Sequence, residues 1–458
     1  MSLQNAPNNH VFYRNQNWHY PKIVSGSGIY LRDESGNQYL DGCSGSAVAN
    51  LGHGNKEIAE VAKQQIETIA YTHLSRWTCD PIEKCAQQIS DFAPEGLNHV
   101  YFVSGGSEAT ESAIKMAREY FIEKNPQSSK WKVISKKHSF HGNTLGALSM
   151  TGIVERRTIY DPLLINFPKI DQFYHYRNPW NTNNLYETSI KAAEALEAEI
   201  LFQGPENIAA FISEPVVGSA APGIHPHAIY FRMVRKICDD YNILLIIDEV
   251  MTGFGRTGKM FAIEHFGVAP DIMCVAKGMS SGYSPIGAVI ASDKVFNQIM
   301  IEGSGQFKHG HTYGGNPLSC AIASKVMSII KRDNILENVE KRSQQLMKKL
   351  HTLSRFKCVG DIRGKGLLIG IEFVFNKKTK EPFGKKVDIK NLITKFCLQE
   401  GLVVYPGGGS NLGKNGDHIL IAPPLIISEE EVNELFIKLE KAIQLTENYL
   451  RKDFLWIS

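Results

Sequence analysis

Ile243-Leu244-Leu245-Ile246-Ile247-Asp248-Glu249-Val250 is an apolar run that ends in two carboxylates. Twenty-nine residues beyond Asp248, the shorter run Ile272-Met273-Cys274-Val275-Ala276 ends in Lys277-Gly278. Each run has the length and composition of a buried parallel strand. Open α/β sheets bind ligands at the carboxyl ends of such strands. The two runs therefore deliver a carboxylate and an amine to the edge where chemistry is done. Both residues also have plain readings, Asp248 as a turn cap and Lys277 as a loop lysine in water. A carboxylate after five apolar residues is costly to bury without a cationic or hydrogen-bonded partner. A nucleophilic lysine has to be partly neutral, which burial or nearby positive charge provides. The small-residue loop Gly278-Met279-Ser280-Ser281-Gly282 leaves room for a bulky group to approach Lys277.

Working outward, short apolar runs alternate with amphipathic helices from about residue 100 to about 325, the pattern of βαβ units. Val100-Tyr101-Phe102-Val103, Lys132-Val133-Ile134-Ser135 and Ala210-Phe211-Ile212-Ser213 fit further strands. Before them, the turn Glu34-Ser35-Gly36-Asn37 between two short runs predicts a hairpin. A helix over 56–69 follows, with Ile58, Val61, Ala62, Ile66 and Ile69 on one face. Beyond residue 330 the pattern becomes helix (335–353), strands (366–374, 402–405, 418–421) and helix (428–449). The expected fold class is α/β, with a mostly parallel central sheet covered by helices on both faces. The expected division is an N-terminal segment 1–55, a large domain 56–330, and a small α+β domain 331–458 joined by the N-terminal segment.

At 458 residues the chain is long enough for two domains. Its 43% hydrophobic and 21% charged content is ordinary for a globular enzyme. A net charge of +3 without a dense Lys/Arg block gives no reason to expect nucleic-acid or membrane binding. Eight scattered cysteines without a CxxC pair predict reduced, buried thiols and a cytoplasmic protein. Residues 1–17 are polar and read as no secretory signal. No apolar run approaches the ~20 residues that span a bilayer. There is no internal repeat and no low-complexity segment.

Three further stretches bear on chemistry. Val103-Ser104-Gly105-Gly106-Ser107-Glu108 joins a strand to a helix. Glycines let the backbone approach a ligand, Ser107 can cap the helix, and free N–H groups with the helix dipole favour an anion. An ordinary Gly-rich turn is the alternative. His138-Ser139-Phe140-His141-Gly142-Asn143-Thr144 offers two histidines and an aromatic, but no HExxH or GxSxG motif for a zinc or triad reading. Stacking of Phe140 on a planar ligand is the more economical reading. His311-Thr312-Tyr313-Gly314-Gly315-Asn316-Pro317 precedes a helix that Pro317 is placed to start. Thr312 offers a hydroxyl to a phosphate, or is plain turn chemistry. Asp248-Glu249 as a metal ligand pair lacks nearby histidine spacing, so no metal site is assigned.

Taken together these segments resemble the class III (ω-) aminotransferases, fold type I enzymes that use pyridoxal phosphate. The match runs through Ser104-Gly105-Gly106-Ser107-Glu108-Ala109, Phe140-His141-Gly142, Ser213-Glu214-Pro215 and Asp248-Glu249-Val250-Met251-Thr252-Gly253-Phe254-Gly255-Arg256-Thr257-Gly258. It continues through Ala276-Lys277-Gly278, Thr312-Tyr313-Gly314-Gly315-Asn316-Pro317 and Ala422-Pro423-Pro424-Leu425, in the family's order and over essentially the whole chain. The resemblance implies that Lys277 bonds to the cofactor aldehyde and moves the substrate proton. It implies that Asp248 pairs with the pyridine nitrogen and that Val250 and Phe140 pack on the two ring faces. Gly105, Gly106 and Ser107 would hold the phosphate; His141, Gly142 and Glu214 belong to the same cofactor-binding set, and Arg256 to its support. Thr312 would reach the phosphate of a partner subunit, because sites in this family lie at a homodimer interface; a tetramer is also open.

The implied reaction moves an amino group from an amine donor to a 2-oxo acid in two half-reactions, by a ping-pong mechanism. Ser219 stands where members acting on 4-aminobutyrate or ornithine usually carry a glutamate, which argues against that subgroup. Ala47 stands where many amine:pyruvate members carry a tryptophan, and Asn143 where biotin-pathway (diaminopelargonate) members carry aspartate. The stretch 405–418 has no arginine for the acceptor carboxylate; Lys414 is a weaker substitute or simply a solvated lysine. Trp18, Tyr20, Ala47, Phe140 and the 405–418 loop are the expected substrate pocket. The reading favoured is an ω-amino acid or amine:pyruvate aminotransferase. A diaminopelargonate-type enzyme, an aminomutase, a catalytically silent binding relative and a metal-dependent hydrolase around His138, His141 and Asp248 are the alternatives.

Overall fold

The computed structural model describes residues 10–15, 18, 20–384, 386–411 and 413–452. Most of 1–17, read as lacking a secretory signal, and Leu412 of the 405–418 stretch lie outside the described residues. The apolar runs form a seven-stranded sheet in the order Leu97–Val103, Gly287–Ser292, Ile272–Val275, Leu244–Asp248, Ile208–Ser213, Lys132–Lys136, Lys169–Ile170. Gly287–Ser292 runs antiparallel to both its neighbours, and the pairings from Ile272–Val275 to Lys169–Ile170 are parallel.

Side chains along these strands alternate between two apolar cores. Leu245, Ile247, Met273 and Val275 face one core with Leu196, Ile200, Tyr230 and Phe231. Leu244, Ile246, Ile272 and Cys274 face the other with Ala109, Ala113, Met116 and Ala117 of the helix Gly106–Lys124. Burial on both faces explains why the strands read as unbroken apolar runs rather than as alternating ones. Each fully buried Leu or Ile contributes about 1.5–3 kcal/mol, so strand position is strongly determined.

The hairpin Tyr30–Asp33/Gln38–Asp41 forms as expected. The Asp33 carboxylate builds its turn, accepting from the Ser35 and Asn37 backbone amides at 3.0 and 2.9 Å. The C-terminal strand Leu402–Val403 joins this hairpin, parallel to Gln38–Asp41, so the two ends of the chain share one sheet. A third sheet has the order Val359–Lys365, Leu368–Phe373, Asn415–Ile421, Tyr405–Asn411. Helices Ile335–Leu350 and Ile389–Gln399 pack on it, and Glu429–Lys452 packs against both of those helices.

Two expectations need correction. The 405–418 stretch is not an open loop: it is a β-hairpin, with Pro406 paired to Ile419 and Gly408 to Asp417. Helix Lys56–Thr68 buries Ile58, but Ile66 is 57% and Ile69 38% exposed, so its predicted apolar face is only partly covered within one chain. All eight cysteines are free thiols, seven of them buried and Cys79 half-buried. Among the described residues, no helix is long and apolar enough to cross a membrane.

Candidate active site

Asp248 is the last residue of its strand and lies opposite Cys274 in the next one. The chain leaves that neighbouring strand three residues later at Lys277, so both side chains emerge at one carboxyl edge. Asp248 is 4% exposed. One carboxylate oxygen is 2.8 Å from Nδ1 of His141 and the other accepts the Val250 amide at 3.0 Å. The buried carboxylate is thus satisfied as the sequence demanded. Nε2 of His141 is buried without a partner.

Lys277 opens a short 3-10 turn and has φ +45°, a left-handed conformation unusual for a side chain with a Cβ. Burial lowers the pKa of its amine, while Asp248 and Glu214 oppose the shift. Its amine makes no hydrogen bond or ion pair among the described residues. A lysine whose pKa burial lowers, in a strained backbone and without a hydrogen-bond partner, is suited to bonding a carbonyl.

Gly106, Ser107, Phe140, His141, Gly142, Glu214, Ser219, Asp248, Val250, Met251 and Lys277 line a single cavity of about 200 Å³. The helix Gly106–Lys124 aims its N-terminus into it. Gly105, not Ser107, is the N-cap residue. Ser107 sits in the first turn, where its hydroxyl accepts the Asn143 amide at 3.1 Å. Two glycines keep this cradle open. A Cβ on Gly106 would stand 2.6 Å from Cγ1 of Val250, and one on Gly142 (φ +131°) 2.6 Å from the Ser107 hydroxyl. Glu214, its carboxyl raised by burial, fastens the wall by accepting the Phe140 amide at 3.1 Å and the Gly218 amide at 2.8 Å.

Arg256 supports the floor rather than lining it. It is wholly buried and donates to Asn50 at 2.8 Å and to the carbonyls of Leu367 and Pro423, tying both chain ends to the loop after Asp248. The expected substrate residues are brought together only in part. Phe140 walls the cavity. Ala47 is behind it, packed in one apolar cluster with Met251. Trp18 and Tyr20 do not line it: they precede the strand Ile23–Ser27 and border a separate groove with Tyr39, Leu392 and Lys395. Thr312 is exposed and outside the cavity, its carbonyl accepting the Tyr71 hydroxyl at 2.6 Å. Met251 lines the cavity without having been singled out; its place three residues past Asp248 was the available signal.

The cavity therefore offers a carboxylate at one end, an amine on one side and a helix N-terminus for an anion. That donor set and the two glycine-cleared walls fit a flat, phosphorylated ring with a basic nitrogen and a carbonyl. Among the described residues, no group of three His, Cys, Asp or Glu is arranged to hold a metal.

The class III aminotransferase model matches residues 12–443 of the chain. The putrescine–pyruvate aminotransferase of Pseudomonas aeruginosa is 35% identical over 426 residues, 93% of this chain and 90% of that protein. The adenosylmethionine-8-amino-7-oxononanoate aminotransferase of Staphylococcus aureus is also 35% identical, over 92% of this chain and 91% of that one. The omega transaminase of Pseudomonas jessenii, solved in complex with PMP, matches with a TM-score of 0.89 at 32% identity, over 96% of both chains. The chain belongs to the class III aminotransferases. It is a fold type I transaminase, and its cofactor is pyridoxal phosphate.

Proposed function

We propose that this enzyme transfers an amino group from an ω-amino acid or amine to pyruvate, with Lys277 and Asp248 as its catalytic pair. The observation that carries the reading is the single cavity shared by Lys277, Asp248 and the N-terminus of helix Gly106–Lys124. Bound pyridoxal phosphate supplies the electron sink for the charge left at the substrate carbon. The Lys277 amine would hold the cofactor at its carbonyl and would serve as the base that moves the proton at the substrate carbon. Asp248, oriented by His141, would face the ring nitrogen and favour its protonated form. The amides of Gly106 and Ser107, next to Gly105, would hold the phosphate. Val250 and Phe140 would confine the ring, with His141, Gly142 and Glu214 fixing the positions of these groups.

Ser219 lines the cavity, and a short polar residue there supports donors without a second carboxylate. The activity of the Pseudomonas aeruginosa relative supports an amine donor with pyruvate as acceptor. The exposed apolar side chains Ile66, Leu74, Trp77 and Tyr313 support a homodimer, in which Thr312 serves the partner's phosphate. Residues 1–55 and 331–458 act as the small domain of each subunit, in a cytoplasmic enzyme.

Borohydride reduction of the holoenzyme followed by peptide mapping should place the cofactor on Lys277. A tag on another lysine, or none, overturns the pair. A donor panel of β-alanine, taurine, diamines and arylalkylamines, run against pyruvate and 2-oxoglutarate, tests the substrate class. Turnover with 2-oxoglutarate but not pyruvate would overturn the acceptor.

A further inference from the structure

A 2-oxo acid brings a carboxylate, and the hairpin over 405–418 has no arginine to receive it. Arg156 stands elsewhere, on the four-residue helix Val154–Arg157. Its guanidinium carbon is 4.6 Å from the ring centroid of Phe140, the aromatic wall of the cavity. The side chain is half-buried, and makes no hydrogen bond or ion pair among the described residues. Neighbouring cations are committed. Arg157 faces Asp161 at 3.5 Å, Lys169 donates to the Ser149 and Phe167 carbonyls, and Arg256 is spent on Asn50 and backbone carbonyls. Lys414 is exposed on the hairpin turn.

The charge of Arg156 also reaches the reacting amine. Burial is the main cause that lowers the Lys277 pKa, and Arg156 adds to it against Asp248 and Glu214. The hairpin braces the arginine's helix. The amide of Gly413 donates to Nε2 of His138 at 3.1 Å, and a Cβ on Gly413 would stand 3.1 Å from Cγ2 of Val154. The stretch without an arginine thus backs the short helix that carries one.

We propose that Arg156 binds the carboxylate of the 2-oxo acid acceptor, and of any amino acid donor, beside Phe140 and Lys277; the proposal rests on the transaminase reading above. A guanidinium meets a carboxylate with two parallel hydrogen bonds, a stronger and more directional tie than the ring contact that holds Arg156 in the free protein. The side chain exchanges one for the other when substrate enters.

The test uses holoenzyme converted to its amine form, as wild type, Arg156→Gln and Arg156→Lys. The second half-reaction is followed with pyruvate and with butanal, which has the carbonyl but no carboxylate. The expected result in Arg156→Gln is a fall of about 100-fold in the ratio of kcat/KM for pyruvate to that for butanal, carried by KM. Arg156→Lys should recover part of it. Loss of the Phe140 contact alone would slow both acceptors together and leave the ratio intact. Propionate, titrated against the holoenzyme spectrum, should bind Arg156→Gln roughly tenfold more weakly than wild type. A ratio within about twofold of wild type, or unchanged propionate binding, overturns the proposal. Wild-type enzyme that accepts neither carbonyl sinks the acceptor assignment, and this role with it, before any variant is compared.

Discussion

Asp248 shows how one residue couples burial to chemistry. Its carboxylate survives at 4% exposure because His141 and the Val250 amide satisfy it, which also fixes its direction. Asp248→Asn keeps the shape and removes the charge that would hold a ring nitrogen protonated. The expected outcome is a folded protein that still takes up cofactor but loses at least about 100-fold in kcat/KM, measured by single-turnover half-reactions. The placement of Asp248 and Lys277 at one sheet edge was legible because each follows an apolar run, and the end of a buried strand is a fixed address. Arg156 carried no such signal, since a charged residue on a four-residue helix looks solvated until the fold lays it on Phe140. The expectation for Trp18 and Tyr20 failed for the same reason reversed: aromatic residues upstream of a sheet have no periodicity that says which groove they enter.

At the scale of elements, the turn after the strand Lys132–Lys136 is set by Gly142. Its φ of +131° disfavours any side chain, and a Cβ would meet the Ser107 hydroxyl at 2.6 Å and the Ala147 Cβ at 2.9 Å. Gly142→Ala should therefore cost about 1–3 kcal/mol, seen as a lower urea midpoint. By pushing Ser107 it should also weaken cofactor uptake roughly tenfold, seen in a titration of the apoenzyme. Elements that bury both faces were readable from the sequence. The strand Tyr405–Asn411 was not, because Pro-Gly-Gly-Gly is the composition of a loop. It forms at the edge of its sheet and pairs on one side only, where a proline without an N–H is tolerated. Gly287–Ser292 was also missed: most of its side chains are small, and its direction is set by two neighbours rather than by its own pattern.

Across the whole molecule, two expectations concern conditions rather than single contacts. Burial lowers His138 from 6.5 to about 4, with nearby Arg363, Lys137 and Arg177 adding to the shift and Asp171 opposing it. The unfolded chain takes up this proton below pH 6.5, and the folded chain refuses it until about pH 4. Stability present above pH 6.5 is thus lost as pH falls through that window, by about 3 kcal/mol at most. His138→Gln should flatten the fall of the thermal midpoint between pH 6.5 and 4; an unchanged slope would locate acid sensitivity elsewhere. The second expectation concerns assembly. Leu74 at 42% and Trp77 at 71% exposure lie on the segment after helix Lys56–Thr68, Ile66 at 57% on the helix itself and Tyr313 at 64% on the Thr312 turn, and segment and turn meet where the Tyr71 and Tyr313 rings stand 6.0 Å apart. Leu74 packs directly on Gly315, where a Cβ would lie 2.5 Å from its Cδ1. Exposed aromatics are enriched at contact surfaces. If that surface joins two copies, each Thr312 is carried toward the other copy, and cofactor binding depends on assembly. Trp77→Glu should then raise the dimer dissociation constant by at least about 30-fold, followed by light scattering across a dilution series. Cofactor affinity should fall in parallel and recover at protein concentrations that restore the dimer. A variant that becomes monomeric and still holds cofactor as tightly would show that each cavity is complete within one chain, and would leave Thr312 without its expected role.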